Sequence, residues 1–154
     1  MITEPPAEME EEFNAWYDAE HLPERLAIPG FRSARRWVAD CRPGEGKYLA
    51  TYELDSAAVL ASPRYLSFFE RPTAWSQRCL GKAVLFKRWA CEQVEPGDAE
   101  CDPRTAALIL NGLHPAALQI RRFRSSTGEA FVLTELADPS ITPASGLVYR
   151  RYRT

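Results

Sequence analysis

The sequence has no cysteine pair at metal-type or redox-type spacing. Cys41, Cys79, Cys91 and Cys101 are scattered, and only His21 and His114 could join them as ligands. That excludes a zinc-ribbon framework, so no metal is expected, and it leaves the four thiols to be read as free, some of them buried, in a reducing compartment. There is no glycine-rich phosphate loop, no dinucleotide fingerprint and no Ser-His-Asp order. Nothing signals a nucleotide, flavin or haem, and no cofactor is expected. No apolar run is long enough to span a bilayer. The N-terminus carries acids and prolines where a secretion signal has a basic start and an apolar stretch, so the expected location is the cytoplasm. Net charge is also small, -2 at pH 7, which gives no general reason to expect nucleic acid or a membrane as partner.

What is present fits one domain or two small fused repeats: 154 residues, 45% of them apolar, enough for a core. Charge is uneven. Glu8, Glu10, Glu11 and Glu12 cluster near the start, and Arg150, Arg151 and Arg153 near the end. These read as solvated faces or as an electrostatic contact. The densest chemistry lies between them, in the stretch from Glu12 to Leu26, which holds Phe13, Trp16, Tyr17, Glu20 and His21.

Pro5 and Pro6 suit a helix entry, and the glutamates sit where the positive end of the helix dipole favours them. Met9, Phe13, Trp16 or Tyr17, and Glu20 or His21 recur at helical spacing, which predicts one amphipathic helix. It should end just before Pro23, because proline disfavours helix in the preceding residue; residues 23–27 could add one more turn. Residues 31–41 and 47–54 alternate as strands around a Pro-Gly hairpin loop. Pro63 and Pro72 break the next region into short helices at 57–60, 65–69 and 74–80. Residues 83–94 read as one long strand. Residues 95–103 form the best linker in the chain. Strands are then expected at 106–110, 118–124, 130–136 and 146–153, with no helix between them.

The two parts look like versions of one unit. Arg35-Arg36-Trp37, a hairpin and Tyr48–Leu54 match Arg121-Arg122-Phe123, a hairpin and Phe131–Leu136. The repeat is β-α-β-β-α-β, with residues 1–94 as the first unit and 104–154 as a second, degenerate one whose helices are lost. On this alignment the first strand is almost missing, since only Met1-Ile2 remains of it. An exposed sheet edge there would invite pairing, so a homodimer is expected.

The pattern Phe13-x-x-Trp16-Tyr17-x-x-Glu20-His21-Leu22-Pro23, then Pro29-Gly30-Phe31, Arg35-Arg36-Trp37 and Tyr48-Leu49-x-x-Tyr52-Glu53-Leu54, resembles the EthD-like branch of the dimeric α+β barrel superfamily. The resemblance covers residues 5–94 well. It implies an α+β fold of tandem ferredoxin-like units whose sheets pack into a barrel, within or between chains. The superfamily spans monooxygenases, isomerases, polyketide cyclases and proteins without known activity, so the resemblance does not supply a reaction.

Imidazole is the side chain most easily used as acid or base near neutral pH, which makes His21 the leading candidate for chemistry. It could equally cap the C-terminus of its helix. Tyr17, four residues earlier, shares its face and is a candidate hydrogen-bond donor. Arg36 is a candidate anion or enolate stabiliser, or half of a structural ion pair with Glu53 or Glu20. Glu20, Trp37 and Tyr52 are candidate substrate contacts, with packing as the plainer role. The expected function is an acid/base enzyme or binder of a small apolar or aromatic metabolite. The alternative is a non-catalytic scaffold in which the motif only holds the helix onto the sheet.

Overall fold

A computed structural model describes residues 1–152. Nine strands form: β1 (Ile2–Glu4), β2 (Phe31–Ala39), β3 (Tyr48–Leu54), β4 (Leu85–Lys87), β5 (Cys91–Glu95), β6 (Ala107–Leu110), β7 (Gln119–Ser125), β8 (Ala130–Leu136) and β9 (Leu147–Arg151). All the pairings are antiparallel, in one sheet ordered β4-β1-β3-β2-β9-β6-β8-β7-β5. The same permutation occurs twice, as β4-β1-β3-β2 and as β9-β6-β8-β7. The pairing of β2 with β9 joins the two sets, and β5 is added at the far edge. The α+β class read from the sequence holds. Among the described residues every helix precedes β4, and no helix is long and apolar enough to cross a membrane.

The strands at the two ends of the sheet are consecutive in the chain. Only Arg88–Ala90 separates β4 from β5, a connection that spans at most about 14 Å. The sheet must therefore curl until its ends come together. This also corrects the expectation of one unbroken strand over 83–94. The chain leaves β1 after Lys87 and joins β7 at Cys91, and it cannot stay paired while crossing from one end of the sheet to the other.

Alternation along the strands sorts two cores. Trp37 lies opposite Leu49, and Arg36 opposite Ala50. Trp37, Ala39, Leu49, Cys101, Leu108 and Tyr149 meet on the concave side. Tyr48 and Ala50 point outward, where Phe13, Trp16, Tyr17 and Cys79 cover them. Phe13 and Trp16 are fully buried, each worth roughly 1.5–3 kcal/mol or more in apolar burial. All four cysteines are free thiols.

The first strand is short but present. Ile2–Glu4 pairs with β3 on one side and β4 on the other. The Glu4 carboxylate accepts from the backbone N–H groups of Gly44 (2.8 Å) and Gly46 (3.0 Å), which clamps the β2–β3 loop over it. Gly46 has φ +93°, and a Cβ there would collide with the Ile2 side chain. This strand fills the position read as nearly empty, and so removes the open edge on which the expectation of a homodimer rested. Past Ala50, which exchanges backbone bonds with Met1, β3 is paired only with β2 among the described residues.

The segment read as a linker, 95–103, is mostly exposed and irregular after β5. Gln93 accepts from Gly97 N and Ala99 N and donates to Ala99 O, and Cys101 is buried in the concave core. The last predicted strand runs from Leu147 to Arg151; Arg153 lies outside the described residues.

Candidate functional site

The helix carrying the motif does not stop before Pro23. Residues 10–26 run on as α1 (Glu10–Trp16), a π-helical turn (Tyr17–His21) and α2 (Leu22–Leu26). Leu22 keeps helical angles, φ -66° and ψ -48°, although it precedes proline. The wide turn accommodates this. Leu22 N–H donates to Tyr17 O, five residues back, so the hydrogen-bond register has already shifted where the Pro23 ring would otherwise meet a carbonyl. Single π turns inside α-helices are frequent at functional sites. Here the turn rotates Tyr17, His21 and Arg25 onto the side facing β3.

His21 is 5% exposed and its Nδ1 has no hydrogen-bond partner. Its ring lies 4.6 Å from Trp16 and 4.7 Å from Tyr17, between ring centroids. Burial, reinforced by the Arg25 and Arg36 guanidiniums, lowers its pKa to about 3. The imidazole is therefore neutral at pH 7, with one nitrogen able to accept a proton.

Tyr17 is sandwiched between His21 and Arg36, whose Cζ lies 4.2 Å from the Tyr17 centroid. The Tyr17 hydroxyl sits 2.6 Å from that of Tyr52. Burial raises the pKa of both phenols, Tyr52 to about 12 and Tyr17 well above its usual value, so both stay protonated across the ordinary pH range. Arg36 donates to Asp18 Oδ1 and Asn14 Oδ1, both at 2.5 Å, and its other face covers Tyr152.

A cavity of about 580 Å³ opens in front of this stack. It draws on both faces of β3: Tyr52 on the helix side, and Leu49, Thr51 and Glu53 on the concave side. His21, Arg25, Phe31, Tyr65 and Phe69 line the helix-side end. The wall is continuous across the two faces where β3, beyond Ala50, is paired on the β2 side alone among the described residues. Its size suits a small organic ligand, and its lining is mostly aromatic and apolar with a few polar groups.

The six candidate residues separate into two sets. His21 and Tyr52 line the cavity, with Tyr17 directly behind both. Arg36 stands one layer further back and does not reach the cavity wall. Trp37 is buried in the concave core and donates to Thr51 Oγ1 at 3.0 Å. Glu20 ties two helices together. Its Oε1 accepts from Trp16 Nε1 (3.1 Å), Thr73 Oγ1 (2.5 Å) and Ser76 Oγ (2.9 Å). Thr73 and Ser76 stand at the start of the helix Ala74–Gly81.

Three arginines at the cavity escape sequence reasoning. Arg25 follows His21 by four residues, on the same face, but it lies beyond Pro23 and so outside the predicted helix. Arg88 occupies the break between β4 and β5. Arg121 lies in the concave interior, where it donates to Glu53 (2.8 Å) and Glu135 (2.6 Å). The i, i+4 spacing of His21 and Arg25 was a readable signal for the first of them.

No family model, curated protein or solved structure matches the chain.

Proposed function

We propose that the chain is an EthD-like protein of the dimeric α+β barrel type. On this reading it is built from two tandem ferredoxin-like units, the second without helices. The repeated strand permutation supports the units, and the aromatic-x-x-Glu-His-x-Pro motif supports the branch. The cavity takes a small aromatic or apolar metabolite, and His21 is its acid/base residue. One observation carries the assignment: a neutral, buried imidazole with an unpartnered Nδ1 in the wall of a 580 Å³ cavity. A buried polar atom left unpaired costs about 1–3 kcal/mol, and a bound ligand's hydroxyl or acidic C–H would remove that cost.

Under this assignment Tyr52 presents the hydroxyl to the ligand, and Tyr17 positions it through the 2.6 Å contact. Arg36 stacks behind Tyr17 and fixes its ring. Tyr17 and Arg36 thus act through Tyr52 and His21, not on the ligand itself. Glu20 holds the helix pair together, which is the motif's structural part. The test is ligand-observed NMR with a panel of small aromatic compounds, read alongside the His21 Cε1–H resonance. Saturation transfer from a panel member together with a shift of that resonance supports the reading. Binders that leave His21 unperturbed, or no binder at all, overturn it.

A further inference from the structure

Arg25 is 7% exposed, and its Nη1 is buried without a hydrogen-bond partner. Among the described residues no carboxylate lies within ion-pairing distance of its guanidinium. Its neighbours are rings instead: Phe68 at 4.5 Å, Tyr65 at 5.7 Å and Phe69 at 5.8 Å from Cζ to centroid. Arg88 stands across the same platform, but is exposed. Its Cζ is 5.8 Å from Tyr65 and 4.9 Å from Phe69, its Nη1 donates to Tyr65 Oη at 2.6 Å, and it too lacks a carboxylate partner. Both arginines line the cavity that holds His21.

Of the other charged side chains that line the cavity, two arginines are paired, while Glu92 and Asp98 lie away from the helix side, on β5 and the loop after it. Arg121 takes Glu53 and Glu135. Arg32 reaches Asp55 and Glu100. The imidazole carries no charge at neutral pH. The helix-side end of the cavity thus holds two like charges on one aromatic platform; among the described residues no carboxylate pairs with either, and neighbouring Glu24 offsets the Arg25 charge only from beyond ion-pair distance. A buried, uncompensated guanidinium is costly, and quadrupole attraction from rings offsets only part of that cost.

From this arrangement we infer that the cavity's ligand is an aromatic anion. One acidic group, a carboxylate or an equivalent acid, sits against Arg25 and Arg88, and its ring lies among Phe31, Tyr52, Tyr65 and Phe69. The planar guanidinium fork suits a two-oxygen anion. The inference rests on the reading of the cavity as a ligand site and narrows it to a charge class. Neutral apolar metabolites fill the same volume but leave both arginines unmatched.

Two fluorescent probes of similar shape separate the possibilities. 8-Anilinonaphthalene-1-sulfonate carries one negative charge, and N-phenyl-1-naphthylamine carries none. The inference expects the anionic probe to bind the intact protein at least about tenfold more tightly, as one charge-assisted contact allows. The neutral probe should displace it, which places both in one site. Arg88→Gln and Arg25→Met should each weaken the anionic probe about tenfold and leave the neutral one unchanged. Arg88 lies at a strand break, so its variant keeps the test usable if Arg25→Met does not fold. Equal affinities in the intact protein, or equal losses for both probes in the variants, overturn the charge preference while the cavity stands. Failure of both probes to bind overturns the reading of the cavity itself.

Discussion

Arg121 and Arg25 are both buried guanidiniums, 1% and 7% exposed, set at the same cavity on opposite sides of β3. Arg121 is saturated. It donates to Glu135, Glu53 and the carbonyl of Ala99. Glu135 in turn accepts from Thr105 Oγ1, Gln119 Nε2 and Asp102 N. This network pins β3, β7, β8 and the 95–103 loop to one another. Arg25 has rings and no acceptor. The first arrangement is what a buried charge needs in order to be structural. The second is left incomplete, beside a histidine that is incomplete in the same way. On the proposed reading, that difference separates the part of the interior that holds the fold from the part that binds.

The largest effect should come from breaking the saturated network. Glu135→Ala leaves Arg121 with one carboxylate and orphans the Asp102 N–H. It should cost about 3–5 kcal/mol, measured by urea unfolding. A loss below about 1 kcal/mol would show that the network is ornamental and blur the contrast with Arg25.

Next comes the pH dependence of the unsatisfied side. The His21 pKa is near 3 in the fold against 6.5 unfolded. Between these values the unfolded chain binds the extra proton. Stability from this group is therefore fully present above pH 6.5 and is lost as pH falls toward 3. The loss runs at up to about 1.4 kcal/mol per pH unit. His21→Phe should flatten that slope relative to the parent chain. Parallel stability curves for the two between pH 6.5 and 4 would mean that His21 titrates normally.

Tyr52→Phe should have the smallest effect. It removes one hydroxyl–hydroxyl contact and should cost about 1 kcal/mol. It should also loosen the Tyr17 ring, seen as faster ring flips in the NMR spectrum. A ring as restrained as before would show that Arg36 and His21 hold Tyr17 without the hydroxyl pair.

Much of this architecture is legible in the residues, and the failures are physical. The strands Tyr48–Leu54 and Ala130–Leu136 stand where they were read, although consecutive residues are buried on both faces of each, at Tyr48–Ala50 and at Leu133–Leu136. The three helical segments between Ala57 and Gly81 are divided at Pro63 and Pro72, as read, and in the fold Ser62 and Thr73 accept from backbone N–H groups at 3.3 Å and 3.0 Å. The motif does form a helix, and of its residues His21 lines the cavity. What a one-dimensional pattern hides is register and closure. Pro23 reads as a stop, yet a π turn carries the helix past it and brings in Arg25. Residues 83–94 read as one strand, yet the two edges of the curled sheet pull that segment apart at Arg88. The matched Arg35-Arg36 and Arg121-Arg122 pairs do not reveal which arginine turns inward. The partners of Arg121, at Glu53 and Glu135, are set by the joining of two halves far apart in the chain. A first strand of three residues looks absent in the sequence and suffices in the fold, because it is paired on both sides.

The contrast between the two arginines is tested most directly by making the same substitution at each. Arg25→Met and Arg121→Met exchange a guanidinium for an apolar chain of similar length, and their unfolding free energies are compared in urea without ligand. Arg121→Met should lose about 3–5 kcal/mol, since it takes the cation away from buried Glu135 and part-buried Glu53. Arg25→Met should change stability by no more than about 1 kcal/mol, since it strands nothing. Equal losses at the two positions would contradict the division of this interior into a satisfied framework and an open site.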